Sequence, residues 1–304
     1  QIFPDYTMLP FKPLAYHNQT AAERVNILYR LSQGTGPEIL TLTLTGLLQK
    51  VIPRQVLNDF AEIVMVNEEI DPEALVEKLI AGGYTRSAIV EEAGDFSVRG
   101  GIIDFFSPLY PNPVRVELFG DMVESLRFFS AVSQRRLNEI EEVIILPARE
   151  AILQQGSTGR VIAAIKKQAA NQETQLSVTR DLLSRVQTEG GMTGMEHLMP
   201  LLYDKLDSFF DYIPEDACFV FLAASNWAKT ADACWQQIRS HFEESRDQGQ
   251  IMGLPEERFL NWHRVQEIMT RKRSVTISMI PGLAKTALGE QSVMDIGLHT
   301  IDNE

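Results

Sequence analysis

Hydrophobic and polar positions change their rhythm twice along the chain. From residue 1 to about 60, helical and extended signals alternate. Thr20-Ala21-Ala22-Glu23 reads as a capping box, and it opens an amphipathic helix through Leu31. The run EILTLTLTG then predicts a strand from Ile39 to Leu44, and a short helix from Thr45 that stops before Pro53. Strand alternating with helix is the grammar of a parallel sheet with crossover helices. Between about 61 and 149 the pattern is different. Asp71-Pro72 supplies a cap and a first-turn proline for a helix to Ile80, and Gly82-Gly83 permits a left-handed exit. FSVRG, GIIDFF, VRVELF, VESLRFF and EEVIILP follow at close spacing, which predicts an antiparallel meander backed by one helix. From 150 the mixed pattern returns. Helices are predicted over Ser157–Ala170, over most of Met195–Tyr212 and over Lys229–Glu244, with a buried strand at 218–223 and a further strand at Ser274–Met279. The acidic, aperiodic stretch from Leu288 reads as a linker.

One strand carries a contradiction. In PNPVRVELFGD, Val114, Val116 and Leu118 share one parity, while Arg115, Glu117 and Phe119 share the other. The first set belongs to a core; the second sets an aromatic among charges. A neighbouring strand can add Arg99, because Gly100-Gly101 lets the chain reverse close by. Arginine beside an exposed aromatic is hot-spot composition, in which the fork clamps a carboxylate and the ring fills an apolar pocket. The alternative is that Phe119 packs against the helix of its own unit or a neighbouring domain. Parity leaves both readings open.

Composition narrows the use of such a face. At 304 residues the chain is long enough for two or three domains, and 44% hydrophobic with 23% charged residues is a globular balance. A net charge of -13 argues against gripping a phosphate backbone, and the dense basic run Arg271-Lys272-Arg273 reads as a solvated helix end. No apolar run reaches the roughly 18 residues that span a bilayer, and no leader is visible, which points to the cytoplasm. Cys218 and Cys234 sit in apolar surroundings and read as buried thiols.

Catalytic patterns are missing. Gly34-Thr35-Gly36 and Gly82-Gly83 lack the lysine and hydroxyl of a phosphate loop, and there is no GxSxG elbow. His17, His197, His241, His263 and His299 include no helical i, i+4 pair. Glu91-Glu92, Glu141-Glu142 and Glu243-Glu244 are adjacent pairs that point apart, as solvated charge does. The expectation is a binding module without catalytic residues, cofactor or metal.

The segment GGYTRSAIVEEAGDFSVRGGIIDFFSP, followed by PVRVELFGDMVESLRFFSAVSQRRLNEIEEVIILPARE, resembles the UvrB-homology module of bacterial transcription-repair coupling factors (Mfd). Shared features are Tyr-x-Arg, [DE]-[FY]-x-[VT]-R-G-G, ELFGDxxESLRxF and the late LPAxE. The likeness extends to IFPDYTMLPFKPLAYHNQTAAERVNILYRL and to GMEHLMPLLYDKLDSFFDYIPEDACFVFL, and is weakest over 150–190 and after 285. The resemblance implies an α/β fold in which degenerate helicase-like (RecA/UvrB-like) domains at 1–60 and 150–285 carry an inserted α+β antiparallel-sheet domain at 61–149. A linker takes 286–304.

It also implies a role. In that family the small domain docks the damage-recognition protein UvrA, with Arg99 of VRGG and Arg115 and Phe119 of VRVELF at the contacting positions. The parent would be an ATP-dependent DNA translocase with RNA polymerase and DNA as partners. The chain in hand would be a non-catalytic fragment with little or no DNA binding, since it starts without Met and ends before those parts. The rival is UvrB itself, an ATP-hydrolysing binder of damaged DNA. That family has a tyrosine-rich hairpin where this chain has the tyrosine-poor PDYTMLPFKPLAYHNQT. A third use of the same surface is an intramolecular lid contact. Ser107-Pro108, where the family has an aromatic before proline, shifts only a loop.

Overall fold

A computed structural model of the chain describes residues 1–6, 11, 18–188, 194–222 and 227–277. Strand β1 (Ile2–Phe3) pairs parallel with β2 (Thr41–Leu42), and helix α1 (Asn18–Ser32) crosses between them. The capping box expected at Thr20 lies inside α1, where Glu23 instead accepts from Gln19 one turn earlier. The strand expected over Ile39–Leu44 shrinks to two residues, because Thr43 is committed to capping. Its Oγ1 accepts from Gly46 N at 3.0 Å and starts α2 (Leu44–Leu48). Strand β3 (Lys50–Val51) and helix α3 (Arg54–Phe60) follow, the latter beginning after Pro53 without a signal in the sequence pattern.

The next unit holds β4 (Glu62–Met65), α4 (Pro72–Ala81), β5 (Thr85–Arg86), β6 (Asp95–Arg99), β7 (Ile102–Phe105), β8 (Val114–Phe119), β9 (Met122–Phe129), β10 (Arg136–Ile140) and β11 (Glu142–Ile145). Asp71 Oδ1 accepts from Glu73 N and Ala74 N, and Gly83 at φ +81° turns the chain out of α4. Strands β6 to β10 form the expected meander, with β5 added parallel at one edge. The fifth place, which the spacing assigns to EEVIILP, is taken by β10 instead. Strand β11 leaves the meander to pair antiparallel with β4, and β10 holds the edge. Four of the five β10 residues are exposed, so it carries no apolar alternation to read. The buried side of the sheet brings Phe96, Ile103, Phe105, Val114, Val116, Val123 and Leu126 against Leu75 and Leu79 of α4. Each such side chain contributes about 1.5–3 kcal/mol by leaving water.

The remainder is mixed. It comprises α5 (Thr158–Asn171), α6 (Leu176–Thr188), α7 (Met199–Leu202), β12 (Asp207–Ser208), β13 (Cys218–Leu222), α8 (Trp227–Asp247), α9 (Pro255–Arg258), α10 (Trp262–Met269) and β14 (Arg273–Ile277). Met195–Tyr212 is not mainly helical: two 3-10 turns, α7 and β12 share it. The break falls at Tyr203, which is extended and fully committed to the core through hydrogen bonds to Glu150 O at 2.6 Å and from Ile152 N at 3.0 Å. Strand β13 is not buried on both sides. Phe221 is buried but Val220 and Leu222 are 56% and 61% exposed, since β13 has only β14 beside it among the described residues. The cysteines are not buried either. Cys218 falls on the exposed parity of β13, and Cys234 on α8 is half-buried beside Thr45. The linker expected at 286–304, together with His17 and His299, lies outside the described residues.

The first and third parts share one core, in which Phe3, Leu28 and Leu48 pack with Val161, Ile165, Phe209 and Val265. The unit between them is fastened where LPARE re-enters that core. Arg149 donates to Gly83 O at 3.1 Å, to Glu196 Oε1 at 3.0 Å and to Asn18 Oδ1 at 3.2 Å. Glu150, fully buried, receives Arg24 Nε at 2.5 Å, Tyr6 OH at 3.2 Å and Ile52 N at 3.1 Å. Burial pushes the Glu150 carboxyl up, but the Arg24 charge and hydrogen bonds prevail and hold it below the usual carboxylate range.

Candidate functional site

Register decides which side chains of the meander meet on its polar face. Asp104 of β7 lies between Ser97 of β6 and Arg115 of β8, and Arg115 lies beside Arg127 of β9. One pleat along, Arg99, Ile102, Glu117 and Ser125 form the next row. Cross-strand neighbours on one face are within reach of each other.

Asp104 is the hub. Its carboxylate is 1% exposed. Oδ1 accepts from Arg115 Nε at 2.7 Å, and Oδ2 accepts from Arg115 Nη2 at 2.8 Å and from Arg99 Nη2 at 2.7 Å. The first two contacts are the bidentate fork of an arginine on a carboxylate. They raise the Arg115 pKa above its usual value. Arg115 also lies over the ring of Phe129, 4.9 Å from its centroid. A second tier pairs Arg127 with Glu117, whose Oε2 also takes Ser125 Oγ at 2.7 Å. At the far end the loop before β6 closes over the sheet, with Gln134 Nε2 on Val90 O and Ser97 Oγ on Ala88 O.

Phe119 stands at the other end, 80% exposed, opposite Met122 across the β8–β9 hairpin. Two glycine turns produce that placement. Gly120 adopts φ +62°, and Gly101 brings its backbone so close that a Cβ there would meet Leu118 O at 2.7 Å. Leu118 N donates to Gly101 O at 2.7 Å, so the β6–β7 and β8–β9 turns lie side by side.

Arg99, Arg115 and Phe119 therefore share one face, but they are not equivalent. The Phe119 ring and the Arg99 guanidinium, with 52% of its side chain exposed, face solvent. Arg115 has 21% of its side chain exposed and spends Nε and Nη2 on Asp104. The expected pair of outward clamps is thus one half-exposed arginine buttressed by another. Sequence reasoning missed Asp104 and Arg127. The only signal for Asp104 was a carboxylate at the polar parity of GIIDFF, a strand that is otherwise apolar. Three guanidiniums (Arg99, Arg115, Arg127) meet three carboxylates, Asp104, Glu117 and Glu139, the last opposite Arg127 across β9 and β10, so the patch is balanced in charge on a chain of net charge -13. Its exposed parts, the Phe119 ring and the Arg99 guanidinium, suit a partly apolar protein surface that offers a carboxylate. Among the described residues, no three His, Cys, Asp or Glu side chains come together as a metal site would require.

Residues 63–150 match the family described as UvrB interaction domain. The chain is 32% identical over 271 residues to the transcription-repair-coupling factor of Myxococcus xanthus, covering 88% of this chain and 23% of that protein. It is 27% identical over 241 residues to the transcription-repair-coupling factor of Bacillus subtilis, covering 76% and 20%. The counterpart from Haemophilus influenzae is 27% identical over 277 residues, covering 90% and 23%. The chain thus spans less than a quarter of the length of these relatives. The matched family falls on the unit that bears Asp104 and Phe119, and the relatives extend the likeness to both flanks: the chain is similar to one part of the bacterial transcription-repair-coupling factors, with a match to the UvrB interaction domain over residues 63–150.

Proposed function

We propose that the polar face of the meander docks UvrA, and that the chain is the non-catalytic UvrB-like module through which a coupling factor brings excision repair to a stalled RNA polymerase. The observation that carries this reading is an 80% exposed phenylalanine beside a half-exposed arginine already held in place from below. A ring left in water at a hairpin tip has no role in its own core. Beside an oriented guanidinium it makes an anchor with direction. On this reading Phe119 fills an apolar pocket on UvrA, Arg99 takes a carboxylate there, and Arg115 acts from the second row. The parts on either side serve as degenerate helicase-like domains that carry the docking unit, and ATP-driven translocation and polymerase binding belong to the rest of the parent protein. Support for the partner's identity comes from the family matched over residues 63–150.

The test is a pair of titrations of this chain, one with UvrA and one with a lesion-bearing duplex. UvrA binding that Phe119→Ala weakens, with negligible duplex affinity, is expected. Tight, salt-sensitive duplex binding without UvrA binding would sink the reading in favour of a UvrB-type DNA module.

A further inference from the structure

We infer that Asp104 is the positioning residue of the docking face: it touches no partner, yet it sets the direction and the net charge of the arginines that do. This rests on the docking reading above and assigns a role to a residue that the reading itself leaves out.

Three observations carry it. The carboxylate is 1% exposed, so no partner reaches it. Its two oxygens take three guanidinium donors at 2.7–2.8 Å, from strands on either side. A buried carboxylate in a strand otherwise committed to Ile103 and Phe105 costs desolvation energy, and a fold alone is served as well by an apolar pair of similar volume. What the fold gains from the charged form is orientation. An arginine in water has rotamer freedom to lose on binding; one held by a fork has lost much of it beforehand. Asp104 also separates two like charges. Without it, Arg99 and Arg115 would face each other across β7 as uncompensated like charges and swing apart.

The charge effect has a sign of its own. Removing the carboxylate takes the patch from balanced charge to one positive charge in excess, which should speed encounter with an acidic surface even as the contact loosens. A merely structural role predicts no such split. The experiment is binding of the Asp104→Asn variant of this chain to UvrA, followed in real time at low and moderate salt. Expected are an unchanged or faster association rate and a dissociation rate about tenfold faster, as for loss of a charge-assisted contact. An unchanged dissociation rate would overturn the inference. So would a binding amplitude that falls in proportion to lost folded protein while both rate constants stay as in the parent.

Phe119→Ala is the control that separates the two claims. If it leaves UvrA binding intact, the docking reading itself fails. If it weakens binding while Asp104→Asn does not, only the role of Asp104 fails. Should Asp104→Asn not fold, the double variant Asp104→Asn/Arg115→Gln leaves a neutral pair in the same space. It is expected to bind UvrA about fivefold more weakly than Arg115→Gln alone, because Arg99 is released as well. Equal affinities would count against the inference.

Discussion

Arg149 occupies the space that a side chain on Gly83 would need. A Cβ built on Gly83 meets Arg149 Cγ and Cδ at 2.7 Å, while Arg149 Nε donates to Gly83 O at 3.1 Å. The exit of α4 and the return of the chain into the larger core are thus one interlocked contact.

Gly83→Ala should therefore destabilise the chain by about 1–3 kcal/mol, from a strained φ of +81° together with displacement of Arg149. Gly100→Ala, with φ +60° but nothing within 4 Å of its Cβ, should cost less. Urea denaturation of both variants checks the order.

Phe119→Ser should leave the unfolding free energy within about 0.5 kcal/mol of the parent, because an 80% exposed ring contributes little to its own core. The same variant should lose about 2 kcal/mol or more of UvrA affinity. Thermal melts and a binding titration on one preparation give both numbers.

Glu150→Gln removes the carboxylate charge that the fully buried Arg24 contacts at 2.5 Å. The expected loss is about 3–5 kcal/mol of stability, the usual result of breaking a buried pair from one side. Arg24→Met/Glu150→Leu should recover part of it. A chemical denaturation series over the three proteins checks this.

Acid should weaken the fold in a defined window. Burial, together with the charges of Arg185 and Arg258, lowers the His197 pKa from 6.5 to about 4. The unfolded chain therefore takes up a proton below pH 6.5 that the native one refuses until about pH 4, and stability falls by about 1.4 kcal/mol per pH unit between them. Glu150, with its native pKa lowered, adds loss as pH drops through that value, whereas Glu196, raised because burial outweighs Arg149, opposes it. His197→Gln should flatten the slope between pH 6.5 and 4, read from melting temperatures across that range.

Local devices were the legible part of the fold. Asp71-Pro72 and Gly83 act on their own turns, so α4 could be bounded from the sequence, and the alternation of β8 fixed its two faces. Pairing was not legible. Alternation tells which way Val143 points but not that β11 returns to β4, some eighty residues earlier in the chain. In Met195–Tyr212 burial does not follow polarity, since Glu196, His197 and Ser208 are buried along with the apolar residues, so no clean period distinguishes a helix from a broken path. The docking face divides the same way. The face of Phe119 was readable from its own strand, though not whether anything covers the ring, whereas the inward turn of Arg115 depends on Asp104, eleven residues away, and only the register brings them together.

The charged edge of β10 has a consequence for the solubility of the whole arrangement. A sheet with an open side and a bare aromatic at a nearby tip is a template for stacking chain upon chain. Arg136, Asn138 and Glu139 line the outermost ribbon, all exposed, and a second copy approaching it must strip water from both signs of charge at once. Charge along that ribbon therefore raises the cost of edge-to-edge pairing between copies.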